Sequence, residues 1–310
     1  MTYAVSGLIQ AGDYNGFVGN TAPSSAYASS VAATDKVAAL TGVGYGTRGY
    51  GQTTTNVAAV TAGVNVSAGQ WNNLRSAMST LNTHQGSDLT LQPTVASGDT
   101  IAYQSSIPTD ITTLDTNRNL ATITQMTLSS ALISSTTSWS GTITHVLTID
   151  FGTADAARYF FNSGGQIRFS GSNVGGTTDL SASWAALLAQ MGTIKMDASS
   201  TTYTGSGGSI TNNIGYYGLN TSYQEIFIHY GSGGAYYYYY SGINYSIQVK
   251  TNATGSTNGG NGSLITVTIT FTDAAVLSSV DGTTSSYIDE YKAGGVLTIA
   301  SPVYTTTTPL

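Results

Sequence analysis

The chain of 310 residues has no cysteine, and charged side chains make up only 8% of it. Without thiols it can form neither disulfides, nor cysteine metal sites, nor a cysteine nucleophile. Typical soluble domains carry about 25% charged residues, so most of the polar surface here must come from hydroxyl and amide side chains. A net charge of −6, without a basic cluster, argues against nucleic acid as a partner.

Long apolar runs are also missing from the sequence. No stretch of about 18 consecutive apolar residues occurs, so no membrane span is predicted and no membrane partner is expected. Residues 1–7 lack the basic region and the apolar stretch of a secretory signal peptide. An exported surface protein would therefore need another route, whereas assembly in the cytoplasm would need none.

What the chain does contain favours β-structure. Threonine, valine, isoleucine and 21 tyrosines suit the pleated, half-buried surface of a sheet, and 37 glycines suit turns and bulges. A clean alternation over 142–151 places Ile143, His145 and Leu147 on one face of a strand. The sequence therefore predicts a mainly β protein with a few short helices.

A repeated pattern marks the N-terminal part. Residues 9–17 align with residues 66–74 through an aliphatic residue, Ala-Gly, an aromatic residue, an asparagine and a large apolar residue. A serine–glutamine capping box opens the second copy, and apolar residues then recur three and four positions apart. A helix is therefore predicted over 67–84, and a shorter one over 11–18.

Composition divides the chain into four parts. Residues 1–120 are expected to form a small α+β attachment or assembly region that holds both repeats and ends in a helix over 110–120. Residues 121–141 are rich in Ser and Thr, which indicates an extended connection or a strand. Residues 142–304 are predicted to form a β-sandwich with two or three short helices, and 305–310 a frayed tail.

The elements expected inside the sandwich are short patterns separated by Gly, Ser and Asn. Strands are predicted over 142–151, 166–170, 214–219, 223–230, 236–249, 263–272 and 295–304. Helices are predicted over 155–161 and around 183–191, and a helical turn between 273 and 281.

The most distinctive run lies between Phe151 and Arg168. It contains Asp155, Ala157-Arg158-Tyr159-Phe160-Phe161-Asn162, Gly164-Gly165 and Ile167-Arg168. This run resembles structural proteins of tailed phages, in particular those of marine cyanobacteria and related hosts. Five further runs share the resemblance: Ala11-Gly12-Asp13-Tyr14-Asn15, Gly49-Tyr50-Gly51-Gln52, Trp71-Asn72-Asn73-Leu74, His84-Gln85-Gly86 and Asn117-Arg118. The resemblance implies a virion structural protein without enzymatic activity, of a family loosely described as tail-fibre or appendage components, and it does not imply a location on the particle.

The same run also has a physical interpretation that needs no ligand. Its aromatic residues place bulky rings against a sheet, and its paired glycines let the chain turn sharply into the next strand. Arg158 follows Asp155 by three residues, which permits an ion pair on a helix. The residues expected to have this structural role are Arg158, Tyr159, Phe160, Phe161, Asn162, Gly164 and Gly165.

Five consecutive tyrosines form the second candidate site: Tyr236, Tyr237, Tyr238, Tyr239 and Tyr240. In a strand their rings alternate between the two faces, and each ring can bury roughly 150–250 Å² while its hydroxyl stays hydrated. This composition suits a subunit interface or core, and it also suits stacking on a host glycan.

Patterns that indicate catalysis are weak or absent. Residues 44–49 match G-x-G-x-x-G, but no strand precedes them and no helix follows, so we interpret them as a glycine-rich loop. The histidines lack zinc-ligand spacing, and His145 is expected to be a satisfied core or interface residue. Asp289-Glu290 is compatible with a calcium ligand, but a solvated turn is favoured. We predict no catalytic, cofactor or metal residues, although a distant carboxylate pair of the glycosidase type stays open.

Two main functions follow from the sequence. The first is a virion part that forms a symmetric homo-oligomer and contacts other virion proteins. The second is a receptor-recognising module that binds host glycan through Tyr236 to Tyr240. A host cell-surface lattice protein is a weaker alternative, because no signal peptide is predicted.

Overall fold

The computed structural model describes residues 9–19, 37–52, 57–102, 106–231, 242–254, 262–274 and 279–307. Within these ranges, eleven strands form two antiparallel sheets, accompanied by short helices. The predicted fold class, mainly β with a C-terminal sandwich, is confirmed.

The helices are α1 (Ala11–Val18), α2 (Val37–Thr41), α3 (Ala68–Gln85), α4 (Ser106–Thr116), α5 (Ala154–Asn162) and α6 (Asp179–Met191). Single 3-10 turns lie at Ile123–Gln125 and Tyr216–Gly218. The strands are β1 (Met126–Ser135), β2 (Gly141–Asp150), β3 (Gln166–Val174), β4 (Ile194–Met196), β5 (Thr201–Tyr203), β6 (Ser209–Ile210), β7 (Gln224–Tyr230), β8 (Asn244–Thr251), β9 (Leu264–Asp273), β10 (Thr283–Ala293) and β11 (Val303–Thr307).

The two sheets face each other across one core. The strand order is β1-β10-β3-β4-β5 in the first sheet and β11-β2-β9-β8-β7-β6 in the second. Strand β9 buries every second residue from Ile265 to Phe271, while the residues between them are half-exposed on the outer face. His145 of β2 contacts Ser286 of β10 through its Nδ1, at 2.9 Å, so polar as well as apolar contacts join the sheets.

Helix α6 packs inside the sandwich, against both sheets. Trp184 is fully buried, and its ring centroid lies 5.4 Å from that of Trp139 and 5.6 Å from that of Phe271. On the other side, a Cβ at Gly171 of β3 would lie 3.0 Å from a methyl carbon of Leu188. Glycine at this position lets the helix approach the strand closely.

The repeated sequence pattern folds twice into the same local structure. Both predicted helices are present, as α1 and α3. Asn15 of the first copy bonds the backbone of Val60 twice, since its Nδ2 donates to the carbonyl and its Oδ1 accepts from the N–H, both at 2.7 Å. Asn72 of the second copy bonds Val95 in the same way, at 2.9 and 3.0 Å. The repeat thus encodes a helix whose asparagine fixes a later segment of chain.

Several predicted boundaries are corrected by the structure. The helix expected over 110–120 is α4, which begins at Ser106, because Asp110 is buried within the helix and accepts a hydrogen bond from the Thr90 N–H, at 3.2 Å, instead of capping the helix start. The strand expected over 214–219 is a 3-10 turn, since two consecutive tyrosines there turn their rings into the core.

The largest difference from the sequence prediction is β10, a strand of 11 residues that the patterns do not predict. The strand expected over 295–304 lies later in the chain, as β11. Residues 305–307, which were expected to belong to a frayed tail, pair with β2 as part of it. The segment 121–141, expected to be a connection or a strand, contributes β1, which pairs with β10 along its whole length. The expected turn at 273–281 falls in part on 275–278, outside the described residues.

Candidate functional site

A cluster of hydrogen bonds lies where the N-terminal part meets the sandwich. Residues 42–51, here called the glycine loop, follow α2 without regular structure, in agreement with the loop interpretation of 44–49. Gly49 has a φ of 107°, and a Cβ there would lie 2.4 Å from the carbonyl oxygen of Val43. Only glycine therefore fits this turn.

Arg158 of α5 holds the glycine loop in place. Its side chain is only 4% exposed, and its Nη1 donates to the carbonyls of Gly46, at 3.1 Å, and Arg48, at 2.7 Å. Its Nη2 donates to the carbonyl of Val43, at 2.7 Å, and pairs with Asp155, at 3.0 Å. The guanidinium thus gives partners to three carbonyls that the irregular loop cannot bond by itself.

Asn162, one helical turn after Arg158, extends these contacts. Its Nδ2 donates to the carbonyls of Gly46, at 3.1 Å, and Gly49, at 3.2 Å. The hydroxyl of Tyr217 lies 2.6 Å from Asn162 Oδ1 and 2.8 Å from the Gly46 oxygen. Burial raises the pKa of Tyr217 above its usual value, so this hydroxyl stays protonated and remains a donor.

The other residues of the motif are used in packing. Phe160 and Phe161 are fully buried, and Phe161 stacks on Tyr216 with a centroid distance of 4.6 Å. A Cβ at Gly165 would lie 2.4 Å from the carbonyl oxygen of Phe160, and Gly164 has a φ of 81°. These contacts turn the chain from α5 into β3. Tyr159 instead lies half-buried, with its ring against Gly51 of the glycine loop.

The histidines are in the core. His145 is fully buried between two serines, Ser135 at 3.0 Å from its Nε2 and Ser286 at 2.9 Å from its Nδ1. Burial lowers its pKa to about 4, and burial also lowers the pKa values of His84 and His229. In the described ranges no group of three or more His, Asp or Glu side chains is arranged to hold a metal ion.

The prediction of a solvated turn at Asp289-Glu290 is wrong, because both residues lie in β10. Glu290 is 1% exposed and accepts hydrogen bonds from Ser129 of β1, at 2.8 Å, and Tyr304 of β11, at 2.9 Å. Asp289 points to the outer face and accepts from the hydroxyl of Ser130, at 2.6 Å. The buried carboxylate joins three strands across the two sheets.

Asp281 is a structural residue that the sequence patterns did not identify. It accepts hydrogen bonds from Thr177 and Thr178, just before α6, and from Ser181 in its first turn. The Ser181 and Thr177 hydroxyls hold its pKa well below the usual range. No local signal points to it, because the residues that it bonds lie 100 or more positions away in the chain.

A small cavity lies between α3 and α4. Its volume is about 10 Å³, which is room for one water molecule rather than a substrate. Two buried polar atoms, Trp71 Nε1 and Asp110 Oδ2, have no protein partner there. Burial raises the pKa of Asp110. Nothing about the size of this cavity suits a cofactor.

The outer faces of the two sheets are largely neutral. The face of the second sheet, here called the threonine face, carries half-buried and exposed threonines on β2, β9 and β11 that lie side by side in the strand register. Its members are Thr142, Thr144, Thr148, Thr266, Thr268, Thr270, Thr272, Thr305 and Thr307.

The face of the first sheet is apolar at its β1 edge. Leu128 is 52% exposed and pairs with Tyr291, while Leu132 is 53% exposed and pairs with Tyr287. These four residues, here called the β1 patch, share one face of the sheet. The sequence signal for the β1 patch is the alternation of Leu128, Ser130 and Leu132. It was not used because 121–141 was interpreted as a connection or a strand without assigned faces.

The tyrosines Tyr236, Tyr237, Tyr238, Tyr239 and Tyr240 lie outside the described residues. Before them, β7 ends at Tyr230, which is 58% exposed, and β8 begins after them at Asn244. Their proposed contact with an interface or a glycan stays a prediction.

Comparison with known proteins identifies no relative: no family model, no curated protein and no solved structure matches the chain. None of the helices in the described ranges combines the length and hydropathy needed to cross a bilayer. The resemblance to tailed-phage structural proteins therefore stays a prediction from sequence.

Replacing Arg158 by Met is expected to destabilise the fold by about 3 kcal/mol or more, because three carbonyls of the glycine loop lose a charged donor. Arg168→Met is the matched control, since Arg168 is half-buried on an outer face over the ring of Tyr291, and should cost about 1 kcal/mol or less. Urea unfolding measures both. Equal losses in the two variants would contradict the role assigned to Arg158.

The stability should also depend on pH through the buried histidines. On unfolding, His145 regains its usual pKa of 6.5, whereas in the fold its pKa is about 4. Between these two pH values the unfolded chain therefore binds more protons than the folded chain. The contribution of His145 to the free energy of unfolding is fully present above pH 6.5 and is lost as the pH falls towards 4. The loss due to His145 alone should reach roughly 2–3 kcal/mol. Thermal unfolding from about pH 7 to about pH 4.5 measures it, and His145→Gln should flatten the profile. A flat profile for the unchanged protein would refute this.

Proposed function

We propose that this chain is a non-enzymatic structural subunit of a tailed-phage particle, which forms a symmetric homo-oligomer and contacts other virion proteins. The proposed place is an exposed part of the particle: a tail fibre, a neck or tail appendage, or a head decoration. The particle identity comes from the sequence resemblance around Arg158 to Gly165. The geometry supports the structural part of the proposal.

The observation that carries the proposal is how the chemically active side chains are used. Arg158 holds a loop, His145 and Glu290 join strands, and Asp281 fixes the start of a helix. Catalytic groups need access to a substrate and a tuned pKa in a cleft. These four side chains instead bond the protein's own backbone and hydroxyls.

The exposed sheet faces support the same function. The threonine face offers hydroxyls and methyl groups, and the β1 patch offers leucine and tyrosine side chains. Contacts between neutral groups do not weaken as salt screens charges. A particle assembled from such surfaces would tolerate wide changes in ionic strength, and we propose that assembly takes place in the host cytoplasm.

Particles provide the direct test. Intact phage is purified by density gradient from a lysate that contains this sequence. If the proposal holds, quantitative mass spectrometry of the phage band should find the chain at a fixed ratio to the major capsid protein. The same peptides should be depleted from the particle-free fraction. A chain that stays in the particle-free fraction would refute the virion function.

Glycan binding is the second candidate, and the exposed ring of Tyr230 at the end of β7 favours it, because β7 leads directly into the segment that holds Tyr236 to Tyr240. An adhesin should bind defined glycans on an array, and Tyr238→Ala should abolish that binding through loss of a stacking ring. Tyr223→Ala is the matched control, since Tyr223 is 45% exposed and has Lys250 over its ring. No binding by the unchanged protein would dismiss this candidate.

A further inference from the structure

Strand β1 is an unusual edge. The other strands that end the two sheets in the described chain are short: β5 has three residues, β6 two and β11 five. Strand β1 has ten, pairs with β10 in one unbroken register, and meets no described strand on its other side. In an antiparallel ladder, alternate residues point their N–H and C=O groups away from the paired strand. About half of the β1 backbone is therefore available for further pairing.

The sequence of β1 has none of the features that normally protect an edge. Natural edge strands carry lysine or other charges, proline, or a bulge that twists them out of reach. The run Met126 to Ser135 contains no charged residue and no proline, and its register with β10 has no bulge. Leu128 and Leu132 are also more than half exposed on it. Such an edge is expected to be covered in the assembled protein.

We propose that a second copy of this chain covers it, by antiparallel pairing of β1 with β1 about a two-fold axis at Ser130. This inference rests on the proposed oligomeric function and names its interface. The exposed leucines of β1 are placed symmetrically about Ser130, two residues before it and two residues after it. A two-fold axis at this residue places Leu128 opposite Leu132 of the partner subunit, and the reverse. The exposed apolar positions of β1 therefore match those of a second copy of the same strand, so a strand of different sequence is not needed as the partner.

The neighbouring strand is compatible with this pairing. Tyr291 lies beside Leu128 and Tyr287 beside Leu132 on the same face, so the β1 patches of two copies would join into two apolar rows, one on each side of Ser130, that each cross four strands. The acidic neighbour, Asp289, lies next to Ser130 on β10. In the pair, the two Asp289 carboxylates would be three strand spacings apart, roughly 14 Å. This exceeds the screening length of about 8 Å at physiological salt, so their repulsion is weak.

The register can be tested with charges. Leu128→Lys alone and Leu132→Glu alone should each weaken self-association of the full chain by on the order of tenfold or more, because a charge then meets an apolar side chain. The double variant should restore it, because the ammonium introduced at position 128 then faces the carboxylate introduced at position 132 of the other copy. Within one chain the two positions are about 13 Å apart along the strand, too far for an ion pair. Recovery therefore reports contact between copies.

Sedimentation velocity and light scattering measure the association constant, and thermal unfolding checks that every variant folds. Val64→Lys is the matched control: Val64 is 54% exposed in a loop outside the sheets, and its replacement should leave association unchanged. An unchanged protein that is monomeric at its solubility limit overturns the inference. So does association that survives both single variants, or a folded double variant that does not recover.

These outcomes are separable from those of the proposed function. A chain found in purified particles whose self-association ignores Leu128 and Leu132 retains its structural function but loses this interface. A chain that pairs through β1 as described but is absent from particles retains the interface and loses the virion function.

Discussion

The guanidinium of Arg158 is the contact on which the arrangement of the chain depends. The glycine loop cannot form a helix or a strand, because its glycines adopt conformations that fit neither, and so its carbonyls need partners from elsewhere. One buried side chain supplies three of these partners, and Asn162 supplies more. Since α5 belongs to the sandwich and the loop to the N-terminal part, these bonds connect the two parts of the chain, alongside others such as the contact of His84 Nε2 with the Ser163 carbonyl.

The same solution recurs across the molecule. With so few charges available, strands and loops are fixed by single polar side chains that each serve several partners. Asp281 accepts from two threonines and a serine, Glu290 from two strands, and each repeat asparagine bonds both backbone groups of one valine. A carboxylate as buried as Glu290 is expensive to leave unpaired, and the less buried groups also bond the protein's own backbone and hydroxyls, so all of them favour one arrangement of the chain. This use of the polar side chains is the physical basis of the proposed structural function.

What the sequence could predict follows from how local each signal is. The helix over 67–84 was predictable because its cap, its apolar face and its terminal glycine all lie within or next to the helix. Strand β2 was predictable because apolar and polar residues alternate along it. Strand β10 was not, because its inner face carries Ser286 and Glu290 beside Ile288. Their partners lie far away in the chain, so no local pattern marks these residues as buried. The contact of Tyr217 with Asn162 and the glycine loop was not predicted for the same reason, since Tyr217 lies 55 residues from Asn162 in the chain.

The polar core contacts also determine what β1 presents outside. A strand that pairs one residue out of register exchanges its two faces. Because apolar and polar residues are mixed on both faces of β1, the loss of apolar burial alone would disfavour such a shift only weakly. Two contacts of β1 point towards the core: Ile133 is 2% exposed, and Ser129 bonds Glu290, which Tyr304 of the opposite sheet also meets. Once Ser129 points inwards, Leu128 and Ser130 must point outwards. Buried Ile133 and the bond to Glu290 together explain why the leucines lie on the surface, at an edge that no described strand covers, and this placement supports the proposed assembly through β1.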